Sequence, residues 1–164
     1  MRVFSLLIVV ILFAACSGNE DGYLKPLNLL EYGIPLTILS PDSVDITKAN
    51  LVVQDEVTIK SQKSDDFEIR IYFGDATISS LADVKTQQMQ FIKDAGLYSK
   101  TILDEPDGFI YESSIDPTLF SYGFRRILLM GDQEYIFQSG SGIYTQKQAE
   151  EMYHATKPQE MVKK

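Results

Sequence analysis

Few residues of this 164-residue chain could carry chemistry, and they are spread along its length. There is one cysteine, Cys16, and one histidine, His154. Cys16 stands in "LFAACSGNED", after a hydrophobic run and before a small, acidic stretch. His154 follows Met152 and Tyr153 in a predicted last helix; as a base it would need a nucleophile beside it. The stretch "GSGIYT", Gly140 to Thr145, is glycine-rich, follows a predicted strand and opens that helix. Its amides, around Gly140, Gly142 and Tyr144, could cradle an anion. It lacks the lysine of a P-loop and the third glycine of a dinucleotide turn, so a flexible connection is the other reading. Asp104, Glu105 and Asp107 could hold calcium, but without EF-hand spacing they read as a solvated turn. Arg125 and Arg126 are successive strand residues, so their side chains point to opposite faces. One must meet the more buried side, where an unpaired charge is costly. Its partner is either a cross-strand carboxylate such as Glu112 or Glu134, or an anionic ligand or partner residue. Phe109, Tyr111, Phe120, Tyr122, Phe124, Tyr135, Phe137 and Tyr144 crowd one stretch, as core or as a recognition face. No catalytic residue, metal site or cofactor is expected from these residues.

The best-marked chemistry is at Cys16. Arg2 supplies one positive charge, and Val3 to Ala15 is apolar apart from Ser5. Crossing ~30 Å of hydrocarbon takes about 20 apolar residues, so this run is too short for a permanent span and reads as an export signal. Ala14 and Ala15 precede the cysteine, with Leu12 and Phe13 before them. This arrangement resembles the lipobox of bacterial lipoproteins. The resemblance implies cleavage before Cys16, acylation of its thiol and new amino group, and anchoring in the cell envelope. An ordinary secretory signal ending in an A-x-A-like site is the alternative. Ser17 to Gly22 is small and acidic, and should be a solvated tether. Ser17 replaces the aspartate that marks inner-membrane retention in enteric bacteria, which points to the outer membrane. The acidic "NED" also resembles the surface-export tethers of Bacteroidetes lipoproteins. More than one acyl chain is needed for stable anchoring, and a triacylated cysteine would meet that need.

Charge narrows the partners. The chain carries 15 basic and 23 acidic residues, a net −8; residues 1–15 hold only Arg2, so the remainder is near −9. An acidic chain does not seek nucleic acid or anionic lipid by charge alone. With Cys16 modified, no thiol is left for a disulfide or a nucleophile, so stability must come from the core.

The elements that would position these residues are mostly strands. Ile34 to Leu39 is a short apolar run closed by the turn "SPDS". Val57 and Ile59, then Phe67, Ile69, Ile71 and Phe73, alternate with polar residues as half-buried strands do. The period then changes. "ISSLADVKTQQMQFIKDAG" predicts a helix capped by Ser79 or Ser80 and stopped at Gly96, with Leu81, Val84, Phe91, Ile92 and Ala95 on one face and Gln88 interrupting the stripe. Strands are expected over 98–103, 109–115, 124–130 and 134–138, with "DEPDG" as a turn and "DPTLFSYG" as a longer connection. The apolar "ILLM" marks 124–130 as a central strand buried on both faces. A last helix starts near Thr145 and ends before Pro158. Three strands, a helix, four strands and a helix on short connections predict an α+β fold with a central antiparallel sheet of six or seven strands covered by two helices. The domain organisation expected is a signal peptide (1–15), the lipidated cysteine and tether (16–30), one domain (31–158) and a frayed tail (159–164).

Three stretches, "YGIPLTILSPDSVDI", "LADVKTQQMQFIKDAG" and "EYIFQSGSGIYTQKQAEEMY", follow an order that resembles the PsbP-like fold. That resemblance implies an antiparallel sheet covered by helices and an accessory rather than enzymatic role; it brings no active site with it. The expected function is therefore a lipid-anchored, non-enzymatic envelope module at the outer membrane, facing the periplasm or the surface. Its partners are the membrane, through Cys16, and a protein or cell-wall component, with no nucleic acid. The alternative is a small-ligand carrier or an enzyme built on the Gly140–Thr145 loop with Arg125 or Arg126.

Overall fold

A computed structural model of the chain describes residues 24–159. The signal segment, Cys16, the tether up to residue 23 and the tail from residue 160 lie outside the described residues.

Apolar–polar alternation builds the main sheet. In chain order the elements are β1 (Leu24–Asn28), a single 3-10 turn (Leu30–Tyr32), β2 (Thr37–Pro41), β3 (Val44–Asn50), β4 (Asp55–Ser61), β5 (Glu68–Asp75), α1 (Leu81–Asp94), β6 (Tyr98–Glu105), β7 (Gly108–Asp116), β8 (Leu119–Met130), β9 (Gln133–Ser139) and α2 (Gln146–Ala155). Seven strands form an antiparallel sheet in the order β3-β4-β5-β9-β8-β7-β6, and β1 pairs with β2 in a separate two-stranded sheet. The fold is α+β, as expected.

Each face of the sheet has its own cover. One face carries Val57, Ile59, Ile69, Ile71, Phe137 and Phe124, which join Leu29, Ile34 and Ile38 from the β1–β2 segment and Ala149, Met152 and Tyr153 of α2 in one buried cluster. The opposite face buries Phe109 and Ile127, where α1 crosses β8 and β6. Both helices start as the sequence predicts. The Ser80 side chain accepts from the Asp83 amide, and Thr145 forms a reciprocal capping box with Gln148, satisfying amides that have no partner within the helix.

Several expectations are corrected. Leu24–Asn28, assigned to the tether, is a strand whose backbone pairs with β2 from Leu24↔Pro41 to Asn28↔Thr37. β3 was not anticipated; it is an edge strand with Asp45 and residues 47–50 largely exposed or half-exposed, so its alternation is faint. Leu119–Gly123 is not a connection but the first half of β8. The strand at the centre is β9, with β8 beside it. β8 is not buried on both faces throughout, because its pairing with β7 ends at Gly108↔Arg126 and leaves Leu128, Leu129 and Met130 half-buried. In α1, Gln88 belongs to the buried stripe with Val84 and Ile92, at i, i+4 spacing, and Phe91 is exposed.

The strand registers also define two ends of the sheet. At one end lie Leu24, the β4–β5 loop, residues 140–144 and the β7–β8 turn. At the other lie the β3–β4 tip (51–54), the β8–β9 turn and the β6–β7 turn.

Candidate functional site

Arg125 and Arg126 do face opposite sides, and their surroundings give them different roles. Arg126 is 2% exposed and lies on the α2 side. Its Nη1 pairs with Asp107, its Nε donates to Thr156 Oγ1 at 3.1 Å, and its Nη2 is 3.6 Å from Glu105 Oε2. The guanidinium stacks over the Tyr153 ring at 4.0 Å, and the Tyr153 hydroxyl donates to Glu105 Oε2 at 2.8 Å. Burial and the bond to Glu105 push the Tyr153 hydroxyl well above the usual phenol range, while that same bond, with Lys157 and Arg126, holds Glu105 below the ordinary carboxylate value. This is a buried ion-pair network tying α2 to the β6–β7 turn, in which Nη2 faces Glu105 without a hydrogen bond.

The expected partners of the arginines, Glu112 and Glu134, are engaged elsewhere or stand apart. Glu112 accepts from Tyr122 at 2.9 Å and Ser99 at 3.0 Å and pairs with Lys100 at 3.3 Å. Burial pushes its pKa up, but those three bonds pull it further down. Burial alone raises Glu134. Asp107 and Glu105, expected to form a solvated turn or a calcium site, hold Arg126, and Asp104 pairs with Lys85 of α1. Sequence reasoning missed this network because the Gly108↔Arg126 register, which lays the turn against Arg126, cannot be counted from the residues alone. The signal available was an acidic turn opening a strand next to a double arginine.

Arg125 lies on the other face, in a cross-strand row with Arg70, Gln138 and Phe109. Among the described residues no carboxylate stands within ion-pair reach of it. Among the described residues, the only hydrogen bond of its side chain is a long one of 3.4 Å from Nη1 to the Phe124 carbonyl oxygen, and its buried Nε has no acceptor. Burial lowers its pKa from the ordinary arginine value, against the pull of Tyr111 and Tyr72. On this face α1 contacts β8 and β6, and Glu56, Thr58, Glu68, Arg70, Tyr72 and Gln138 are half-buried rather than covered. Arg70 is already occupied by Glu68 and by Ser141 Oγ at 2.9 Å. Arg125 is thus a cation at the margin of an open, polar and aromatic sheet surface.

The Gly140–Thr145 segment lies at the opposite end of the sheet from the Arg126 network. Three of its amides are in use: Gly140 donates to the Glu68 carbonyl at 2.8 Å, Tyr144 to Ser121 Oγ at 3.2 Å, and Thr145 to Gln148 Oε1 at 2.8 Å. The glycines serve close packing. A methyl at Gly140 would meet the Glu68 carboxyl at 2.3 Å, and one at Gly142 would meet the Tyr144 ring at 2.8 Å. With a carboxylate already against Gly140, the segment is a poor anion cradle. Tyr144 is buried in the core, and His154 is exposed on α2. Of the aromatic group, Phe109, Phe124, Tyr135, Phe137 and Tyr144 are core; Tyr111 and Tyr122 are half-buried, and Phe120 is exposed. One surface groove, of about 220 Å³, is lined by Asn28, Leu30, Pro35, Leu36, Thr37 and Gln159, away from both arginines. No helix of the described residues is long and apolar enough to cross a membrane.

No protein-family model matches the chain, and no curated protein is significantly similar to it.

Proposed function

We propose that this chain is a lipid-anchored envelope protein, held at the outer membrane through Cys16, whose PsbP-like domain is a non-enzymatic binding module for a protein or cell-wall partner. The observation that carries the binding reading is Arg125. It is a guanidinium at the margin of an open sheet face, without a carboxylate among the described residues. A carboxylate or similar anion on the partner supplies what the fold withholds, and charge-assisted bonds to arginine are the strong ones. Arg126 does not share this role, since its charge is consumed inside the fold. The anchoring part rests on the apolar run, Ala14-Ala15 and Cys16, followed by a polar tether. The antiparallel sheet with a helix on each face has the architecture that the PsbP-like resemblance implies.

Affinity purification from detergent-solubilised envelopes, alongside incubation with purified cell-wall sacculi, tests the binding reading. Wild type should retain a defined partner, and Arg125→Met should lose it while keeping its circular dichroism spectrum. Equal recovery with Arg125→Met would remove the arginine from the interface and the reading with it.

A further inference from the structure

Five exposed apolar side chains gather at the end of the sheet where the chain enters at Leu24. Ile115, Leu119 and Phe120 flank the β7–β8 turn, where Asp116 pairs with Leu119 and Ser114 with Phe120. Leu97 joins them because its carbonyl accepts from the Ser114 amide at 2.8 Å. Ile143 joins from the other side, since Tyr144 is bonded to both Ser121 and Tyr122. Their exposures run from 37% for Leu119 to 61% for Ile143, with Phe120 at 42%. The turn that presents them is rigid: the Asp116 carboxylate accepts from the Thr118 amide and hydroxyl at 2.7 and 2.8 Å and from the Leu119 amide at 2.9 Å. Phe91, in the last turn of α1 just before Leu97, extends the set. Single exposed apolar residues are ordinary, whereas six at one end of the fold call for an occupant.

We propose that the bilayer surface is that occupant, with this end of the domain resting on the membrane and Phe120 and its neighbours entering the interfacial region. The argument rests on the anchoring reading above, because it takes Cys16 as the lipid-bearing residue. Only residues 17–23 separate Cys16 from β1, and seven residues span at most about 25 Å. Leu24 opens β1 opposite Pro41, which directly precedes the two-residue turn into β3, so it lies at the same end as the β7–β8 turn. A short tether therefore keeps this end, rather than the other, within reach of the membrane. Phenylalanine and leucine suit burial at the headgroup–acyl boundary. The other exposed apolar group, Leu51 to Val53, sits at the tip of the β3–β4 hairpin. The seven residues of β3 carry it about 23 Å away from the anchored end.

The chain has no tryptophan, so single reporters can be placed in the full-length protein. Phe120→Trp and Val52→Trp, each purified from envelopes and reconstituted into phosphatidylcholine vesicles containing dibrominated lipid, are compared by fluorescence, with the mass of the Cys16 peptide read on the same samples. The proposal expects Trp at 120 to lose most of its emission to brominated lipid and Trp at 52 to lose none. An acylated protein whose Trp at 120 is unquenched overturns the proposal and leaves the anchor intact. Quenching at 120 without acylation upholds the membrane contact and removes the anchor, and neither signal removes both. If Trp at 120 is shielded from aqueous iodide yet untouched by brominated lipid, the occupant is a protein or a second copy, and the bilayer contact is overturned.

Discussion

Two neighbouring arginines illustrate how environment assigns a role at the scale of one residue. Arg126 is enclosed with Asp107, Glu105, Tyr153 and Thr156. Removing one partner of a buried ion pair strands the other's charge, at about 3–5 kcal/mol. Arg126→Ala should lower unfolding stability by that order in urea melts. Arg125→Met should change it by less than about 1 kcal/mol, because no pair is broken and a buried unpartnered Nε is removed. The same network fixes a pH dependence. Glu105 has its pKa depressed by folding, so its contribution is present above the carboxylate's unfolded value, about 4.3, and is lost as pH falls through the lower folded value. Tyr153 has its pKa raised, so its contribution is present below the unfolded value of about 10 and is lost as pH climbs above it. Tyr153→Phe should flatten both limbs of a stability–pH profile measured by thermal melts. An alkaline limb of unchanged steepness would mean that Tyr153 does not control it.

At the scale of elements, β8 is the informative strand. Ile127 is fully buried, while Leu128 is half-buried beyond the last residue that pairs with β7. Ile127→Asp should therefore unfold the domain, and Leu128→Asp should cost less, about 1–3 kcal/mol, within the ordinary range of single substitutions; urea midpoints would order the two. Gly108 offers a sharper probe, since a methyl there would stand 2.5 Å from the Arg125 carbonyl oxygen and 2.9 Å from the Tyr153 ring. Gly108→Ala should loosen the β7–β8 pairing and the seat of α2 together. These elements also show what the sequence could yield. Period and capping disclosed β5, β7, β9, α1 and α2, because each buries a regular face or carries a strong terminal residue such as Ser80 or Thr145. β1 and β3 were not legible: β1 contains Pro26 and Lys25, and edge strand β3 buries too little to imprint a pattern. The Arg126 network was hidden for a related reason. The β7–β8 pairing, Gly108 opposite Arg126, decides which turn residue meets which strand residue, and side-chain spacing does not encode that offset.

At the scale of the whole molecule, the proposed attachment and the described fold draw on different stretches of the chain. The described structure opens with β1 at Leu24, and the lipobox-like stretch ends eight residues earlier at Cys16. The domain carries no described helix able to span a bilayer, and its net charge is acidic. A peripheral apolar group such as that around Phe120 offers weak contact by itself, whereas acyl chains contribute roughly 0.8 kcal/mol per buried methylene. On the anchoring proposed above, residence at a membrane rests on Cys16, and folding does not. Cys16→Ser should abolish incorporation of a radiolabelled fatty acid and move the protein from the membrane fraction to a soluble or unprocessed form. The urea midpoint of the domain should stay at the wild-type value, because no residue of the sheet or core is touched. Equal label on wild type and Cys16→Ser would overturn the anchor. A lost label with a lowered midpoint would instead show that residues before Leu24 contribute to the fold.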